Sequence, residues 1–486
     1  MSLQPSSPDA TIVSPSDAMV RPLASPAESD ASCRSVLSLL IFTSALWLVF
    51  ASLLGLLASL KFHAPNMLAN YPWTTFGRIQ PAHQNAFLYG FAIPAGLAVA
   101  LWIFCRLGRT VLAFGGVAVA GALLWNVGVA TGVAGILLGD NTGYEGLEIP
   151  SYASPILLVA FCLLGFCAVA TFHNRRELEL YPSQWFLFAA LFWFAWIFST
   201  AHTVVASQSI SGLAQACVAF WYSNNLRLIV LGALGIGAIF YFIPKLIGAP
   251  LHSRALAIFA FWTLLFFGSW AGIPAGTPLP AWVGAWSGMA AILLILPILA
   301  VAVNFHMTAH ASLEARRGSP PLRFILFAAS AFVVATTLGI LAQLRPMSDV
   351  LRFTFFEQGH IRLFLYGFFA MAMFGAIYHI LPRLTLQEGR GGILGHFWLS
   401  AVGIICLFLS LAVGGAVQGF ALNDPDVTFL NALFDTIIFF RISTLGELLM
   451  LAASLLFLLN ITGQFYRCFR ACCCPPSGKL PRKERR

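Results

Sequence analysis

The sequence predicts an all-α, polytopic membrane protein built as a bundle of twelve transmembrane helices. Of its 486 residues, 59% are hydrophobic and only 9% are charged, and the mean hydropathy is +0.84. Soluble domains usually carry about 25% charged residues, so the composition excludes an ordinary soluble protein. The apolar residues also form runs of about 20 residues or more, which is the length that crosses a bilayer as a helix.

The two ends of the chain differ from the apolar middle. Residues 1–34 are rich in Ser, Pro, Ala and Asp, so we expect a disordered cytoplasmic tail. The first apolar run, residues 35–60, is too long for the core of a signal peptide and is expected to stay as a membrane helix. Residues 35–465 then form one membrane domain, and residues 466–486 form a basic, Cys-rich cytoplasmic tail.

Hydropathy places twelve spans along the membrane domain. The sixth and the last exceed the length needed to cross, so we expect tilt or extension beyond the bilayer. The predicted spans are residues 35–60, 82–105, 111–138, 152–172, 184–206, 213–243, 255–273, 281–308, 323–343, 356–382, 393–419 and 430–463.

The positive charges are distributed asymmetrically about these spans. Twenty of the 27 Lys and Arg residues fall in the tails and in the loops on one side, and only Lys61, Arg78, Arg345 and Arg352 fall on the other. Because cytoplasmic loops carry such an excess, both termini are predicted to be cytoplasmic. The net charge of +9 therefore reflects membrane topology, and we expect no nucleic-acid partner.

Acidic residues mark the predicted outer loops. Asp140, Glu145 and Glu148 lie between the third and fourth spans. Such an acidic face either steers a basic partner toward the protein or is simply solvated, and the sequence leaves both interpretations open.

Several ionisable residues fall inside the predicted spans, where burying a charge costs free energy and such residues are usually paired or functional. Some such residues pair with each other or reach the interface, whereas others hold a cofactor. Arg441 and Glu447 are six residues apart on one helix, so each is expected to have a neighbour on another helix. The residues concerned are His83, His202, Arg227, His306, His360, Arg362, Arg441 and Glu447.

His83 and His360 are the candidate cofactor ligands, because a neutral imidazole offers a ring nitrogen to iron. His360 lies two positions before Arg362 in the run FTFFEQGHIRLFLYGF. A helix turns about 100° per residue, so these two side chains point to nearly opposite faces and one helix can serve two sites.

Several fragments, taken in order, resemble the catalytic subunit of haem–copper oxidases, in particular the cbb3-type cytochrome c oxidases. The resemblance covers residues 75–385, and YFIPK followed at the right separation by GAIYHILPRL is its most specific part. The fragments are GRIQPAHQNAFLYGF, NTGYEGLEIP, AFWYSNNLRLIVLGALGIGAIFYFIPK, HSRALAIFAFWTLLFFGSWAG and FEQGHIRLFLYGFFAMAMFGAIYHILPRL.

This resemblance implies haem ligands in the second and tenth spans. His83 matches the family's low-spin haem ligand, and His360 matches the high-spin ligand of its His-x-His pair. Arg362 stands at the second low-spin ligand position, but a guanidinium has no lone pair for iron. Arg362 is therefore expected to clamp a haem propionate or to keep haem out. We expect one b-type haem at His360, with two haems as the alternative.

The same resemblance shows departures at the copper site. Asn224 stands where the family has a copper-binding His, and Pro274 and Ala275 stand at the adjacent pair of His ligands. Gly268 aligns with the family's cross-linked tyrosine. Copper needs imidazole or thiolate donors, so no copper is predicted and no catalytic residue is assigned. Arg227, one turn after Asn224, is expected to fill the vacated polar cavity.

Two functions remain open. The first is a subunit-I-like protein of aerobic respiratory electron transport that binds b-type haem in a bacterial-type inner membrane. It would act with other respiratory subunits, including c-type cytochromes on the outer face, and whether it is a complete oxidase is open. The second is a haem-free scaffold or assembly subunit. A secondary transporter also suits twelve spans, but no inverted-repeat halves are visible in the sequence.

Overall fold

Twelve long helices form the membrane domain in the computed structural model, which describes residues 23–206, 212–273, 279–310, 319–387, 389 and 391–473. Eleven of these helices are long and apolar enough to cross a bilayer, and the described residues contain no strand. In chain order they are α1 Pro26–Lys61, α2 Phe76–Leu107, α3 Gly115–Leu138, α4 Ser154–His173, α5 Pro182–Ala206, α6 Leu213–Ile247, α7 Arg254–Gly268, α8 Ala281–His310, α9 Pro320–Gln343, α10 Phe355–Thr385, α11 Ile393–Asn423 and α12 Phe429–Cys473.

Three helices occupy the centre of the bundle. The apolar segments of α2, α6 and α10 are almost entirely buried, and the three helices contact one another. In the described parts of the chain, the other nine helices surround them in the order α1, α3, α4, α5, α7, α8, α9, α11, α12, and α12 returns to α1. Any side chain on the inner helices is therefore shielded from lipid by this outer ring.

The outer helices are apolar on both faces, which fits a membrane environment. About half or less of each of their apolar segments is buried inside the bundle. Large apolar side chains such as Phe192, Trp262, Leu299 and Leu459 point outward and are more than half exposed. Contact of such surfaces with lipid costs no free energy, whereas their exposure to water is unfavourable. The apolar outer surface therefore agrees with the composition, which predicts a membrane protein.

The first helix begins earlier than the predicted boundary at residue 35. Ser25 and Glu28 form a capping box, in which the Glu28 backbone N–H donates to Ser25 Oγ and the Ser25 N–H donates to Glu28 Oε2. Trp102 Nε1 then donates to Asp30 Oδ1 at 2.9 Å and ties this first turn to α2. The prediction of a tail through residue 34 is therefore wrong beyond Pro26, because tertiary contacts hold the polar segment as helix.

Two other boundaries differ from the predictions. α12 continues to Cys473, past the predicted end of the membrane domain at residue 465. α7 ends at Gly268 and has 15 residues, about 22 Å of helix, which alone is shorter than the hydrocarbon core. The predicted seventh span continued to residue 273. Residues 1–22 and 474–486, which hold most of the predicted tails, lie outside the described residues.

Candidate cofactor site

The two candidate histidines share the same local sequence. HQNAFLYGF begins at His83 in α2 and HIRLFLYGF begins at His360 in α10, so each His precedes the word FLYGF by the same spacing. In both helices a π-helical segment starts three residues after the His, at Ala86–Ala92 in α2 and Leu363–Ala370 in α10. Such segments are frequent at functional sites. The repeated FLYGF motif is therefore a signal in the sequence by which both histidines can be recognised before the fold is known.

His360 lies on a cavity of about 200 Å³ between α6, α8, α9 and α10. Its Nδ1 atom is buried and has no hydrogen-bond partner among the described residues. A Cβ atom at Gly339 of α9 would lie 3.7 Å from Nε2, so the ring faces a wall that carries no side chain at that point. Ala291 and Ala335 also line the cavity. Small residues leave room in front of the imidazole for a flat ligand.

Charged side chains surround the open side of this cavity. Arg227, Arg352, Glu145 and Glu357 all line it. Arg227 and Glu145 also line a second cavity beside His83, so they stand between the two. The Arg227 Nε–H donates to the Ser223 carbonyl at 3.3 Å. Arg227, which was expected to fill a vacated polar cavity, lines this cavity, and about 200 Å³ of it stays open.

His83 is buried on the other side of α10 and is held by backbone. Its Nδ1 atom lies 2.7 Å from the Ala51 carbonyl of α1, to which a protonated Nδ1 donates. That tautomer leaves the Nε2 lone pair facing the second cavity, as in a histidine oriented for metal binding. However, the Tyr366 hydroxyl lies 3.4 Å from Nε2, and the cavity measures only about 40 Å³.

Arg362 lines the small cavity beside His83 and a wider one of about 440 Å³ toward Gln84 and Phe355, and it also forms an ion pair. Its Nη1 donates to Oε1 of Glu447, which is fully buried in α12. The expectation that Glu447 has a neighbour on another helix is confirmed, and the neighbour is Arg362. Arg441 lies exposed on the same helix.

Asn224 is used to join α6 to the end of α7. Its Nδ2 donates to the Gly268 carbonyl at 3.1 Å and to the Ala271 carbonyl at 2.6 Å. A Cβ at Gly268 would lie 2.6 Å from Ile229 Cδ1, so this position is packed closely against α6. Pro274 and Ala275 lie outside the described residues. In the part of the chain that is described, no three His, Cys, Asp or Glu side chains come together in a metal-binding group.

The remaining predicted histidines lie away from both cavities. His202 packs on Phe198, and His379 packs on Trp102, so both belong to the buried core. His306 and His310 are exposed near the end of α8, as expected for interfacial side chains. His396, which no sequence pattern singled out, is fully buried and lies 2.9 Å from the Tyr378 hydroxyl.

Glu148, predicted to be an outer-loop acid, points into the protein. Its side chain is only 4% exposed, and its Oε2 accepts a hydrogen bond from Asn85 Nδ2 at 3.0 Å. Burial raises the pKa of the Glu148 carboxyl to about 7, although the Asn85 hydrogen bond opposes the shift. Simple solvation therefore does not describe this residue.

The fold and site define a helical membrane protein with a histidine-lined cavity at its core. The chain belongs to the cytochrome c and quinol oxidase polypeptide I family, whose model matches residues 35–449. It is 27% identical to a cytochrome c oxidase subunit 1 homolog of Azorhizobium caulinodans, over 85% of this chain and 79% of that protein. It is 26% identical to the Cbb3-type cytochrome c oxidase subunit CcoN1 of Stutzerimonas stutzeri, over 78% of this chain and 83% of the relative.

A solved structure shows the same fold. A chain from a heme-copper terminal oxidase dimer superposes with a TM-score of 0.67 at 14% identity, covering 88% of this chain and 84% of the other. The predicted resemblance to cbb3-type subunit I is therefore confirmed at the level of family and fold.

Members of this family normally bind haem, and the two faces of α10 fit that group unequally. On the His360 face, the Nε2 side of the ring lies toward Gly339, where a Cβ would be 3.7 Å away, and this suits a haem held by one histidine. On the His83 face, Arg362 is engaged with Glu447 and Tyr366 stands before Nε2. That arrangement does not fit a haem held between two histidines.

Proposed function

We propose that this chain is a respiratory electron-transport subunit that binds a single b-type haem through His360 and no copper. The observation that carries the proposal is the cavity of about 200 Å³ at His360, where Nε2 of the buried ring faces the Gly339 position. A haem bound there supplies reversible one-electron transfer. The protein holds it from one side and shields it from lipid with the outer helices.

The hydrogen bonds of Asn224 support the proposal that copper is absent. The Asn224 side-chain amide nitrogen already donates to two backbone carbonyls at the end of α7, and an amide nitrogen is not a copper ligand. The protein would then lack the second metal that reduction of oxygen at a haem–copper pair requires. The chain would instead pass electrons within a larger complex.

The membrane and partners follow from the family and the charge pattern. We place the protein in a bacterial-type inner membrane with both termini cytoplasmic, because the positive charges gather on the side of the termini. The proposed partners are other respiratory subunits, including c-type cytochromes that dock on the outer face. Alkaline phosphatase fused after residue 486 should be inactive, and an active fusion would contradict this topology.

Haem content tests the proposal directly. The protein is expressed in a haem-replete bacterial host, purified, and assayed by pyridine haemochrome together with elemental analysis. We expect one b-type haem and no stoichiometric copper per chain. His360→Ala should lose the haem, whereas His202→Ala, which removes a buried histidine away from the cavity, should retain it. One copper per chain, or an unchanged spectrum in His360→Ala, would contradict the proposal.

A haem-free scaffold is the second candidate function. The observation that favours it is the small size of the cavity beside His83, about 40 Å³, where Arg362 is paired with Glu447. Wild-type protein that folds and purifies without haem from the same host would establish this function and reject the first.

A further inference from the structure

A buried ion pair lies in the core of the bundle, where charge is costly to bury. The Arg362 side chain is 12% exposed and that of Glu447 is 1% exposed. Each charge offsets the cost of burying the other, so removal of either residue would leave an uncompensated charge in the core. Arg362 comes from α10 and Glu447 from α12, and the pair therefore joins an inner helix to the outer ring.

Glu447 also lies against His83, at a point where α1 carries no side chain. A Cβ at Gly55 would lie 2.8 Å from His83 Nδ1 and 3.2 Å from Glu447 Oε2. Glycine at position 55 therefore lets the carboxylate and the imidazole approach the same spot. The second oxygen of Glu447 has no hydrogen-bond partner among the described residues.

Tyr366 covers the other nitrogen of His83. Its hydroxyl lies 3.4 Å from Nε2, and its ring packs on Phe87 with centroids 4.5 Å apart. Arg362 and Tyr366 line the same small cavity as His83. The imidazole is thus enclosed by backbone on one nitrogen and by a phenol on the other.

We propose that the ion pair of Arg362 and Glu447 forms a closure of the second haem position, so that haem is excluded from the His83 face of α10. Arg362 is a fixed part of the core rather than a clamp for a haem propionate. The proposed function concerns the His360 face, and the closure holds whether or not that face binds haem. It predicts that removing the closure adds one haem to whatever number the wild type carries.

The double variant Arg362→His, Glu447→Gln tests the closure. It supplies an imidazole at position 362 and removes the carboxylate that would otherwise be left buried without a partner. We expect the haem-to-chain ratio to rise by one, from one to two or from zero to one, with a six-coordinate low-spin spectrum. Adding His83→Ala to the double variant should abolish the gain.

The matched control is Arg441→His, which makes the same substitution at an exposed position of α12 and should leave the haem content unchanged. A double variant that folds but gains no haem would overturn the proposal. Should the double variant fail to fold, His83→Ala alone decides, because the closure predicts the wild-type haem content and spectrum for it. Loss of a haem from His83→Ala, or a bis-histidine spectrum in the wild type, would also overturn it.

Discussion

The two histidines on either side of α10 lie in nearly the same local sequence but in different environments. His360 in α10 and His83 in α2 each precede FLYGF by the same spacing, and a π-helical segment follows each at the same distance. Yet His360 lines a cavity of about 200 Å³, whereas the cavity beside His83 measures about 40 Å³. Neighbouring helices make the difference. α9 presents Gly339 to one ring, and α10 and α12 place Tyr366 and Glu447 beside the other.

The comparison shows that the shared motif does not by itself determine how much space surrounds its histidine. The motif fixes the local helix geometry, but the space around it is set by residues far away in the sequence. Position 447 lies 85 residues from Arg362 and completes the ion pair. An arginine on α10 is thus paired with an acid on another helix, beside a cavity of only about 40 Å³.

The largest effect is expected from breaking the ion pair. Glu447→Leu or Arg362→Met alone leaves an unpaired buried charge and should lower the free energy of unfolding by about 3–5 kcal/mol. The double variant removes both charges and should lose less than either single variant. Thermal unfolding in detergent measures this cycle, and additive losses would show that the residues are not coupled.

A pH effect is expected on the His83 side, where Asn85 donates a hydrogen bond to the buried Glu148 carboxyl. The folded-state pKa of Glu148 is raised from 4.5 to about 7. The contribution of Glu148 to the free energy of unfolding is therefore fully present below pH 4.5. It is lost as the pH rises to about 7, by about 3 kcal/mol in all. Glu148→Gln should flatten this part of the wild-type profile. A difference between the two proteins that does not change from pH 4.5 to 7 would remove Glu148 as the cause.

The same substitution on both faces should give different results. Gly55→Ala places a Cβ 2.7 Å from His83 Cε1 and should destabilise the protein by about 1–3 kcal/mol. Gly339→Ala places a Cβ 3.7 Å from His360 Nε2, which is ordinary contact, and should be neutral or stabilising by up to about 1 kcal/mol when both proteins are compared without haem. Equal thermal shifts would mean that the two rings are packed alike.

The smallest effect is expected from Tyr366→Phe. The Tyr366 hydroxyl lies 3.4 Å from His83 Nε2, which is long for a hydrogen bond, so its loss should cost about 0.5–1 kcal/mol. Phe364→Leu, on the same π-helical segment but lining the His360 cavity, is the control that should alter haem binding instead. A loss above about 2 kcal/mol for Tyr366→Phe would show that the phenol contributes more than this long contact implies.

Hydropathy and charge predicted the helices well because both report directly on the bilayer. The spans and the family both followed from sequence, whereas the haem-ligand roles of His83 and His360 stay predictions. The start of α1 did not, because Asp30 is held by Trp102, a contact that periodicity cannot reveal. The short α7 was likewise hidden, since its apolar run continues past Gly268.

The candidate site was only half visible in the sequence. His83, His360 and Arg362 were predicted from their position inside apolar spans and from the family resemblance, and Glu447 was expected to have a partner on another helix. Its pairing with Arg362 depends on how α12 lies against α10, which no local pattern specifies. The burial of Glu148 was missed because a loop acid is normally solvated, and only the fold shows Asn85 beside it.

Magnetic circular dichroism of the purified wild-type protein tests the contrast between the two faces most directly, because it reports the spin state and axial ligands of each bound haem. The expected spectrum contains one five-coordinate, high-spin haem and no low-spin component. A low-spin, bis-histidine signal would place haem at His83 and contradict the closure, and a spectrum without haem would contradict the role of His360.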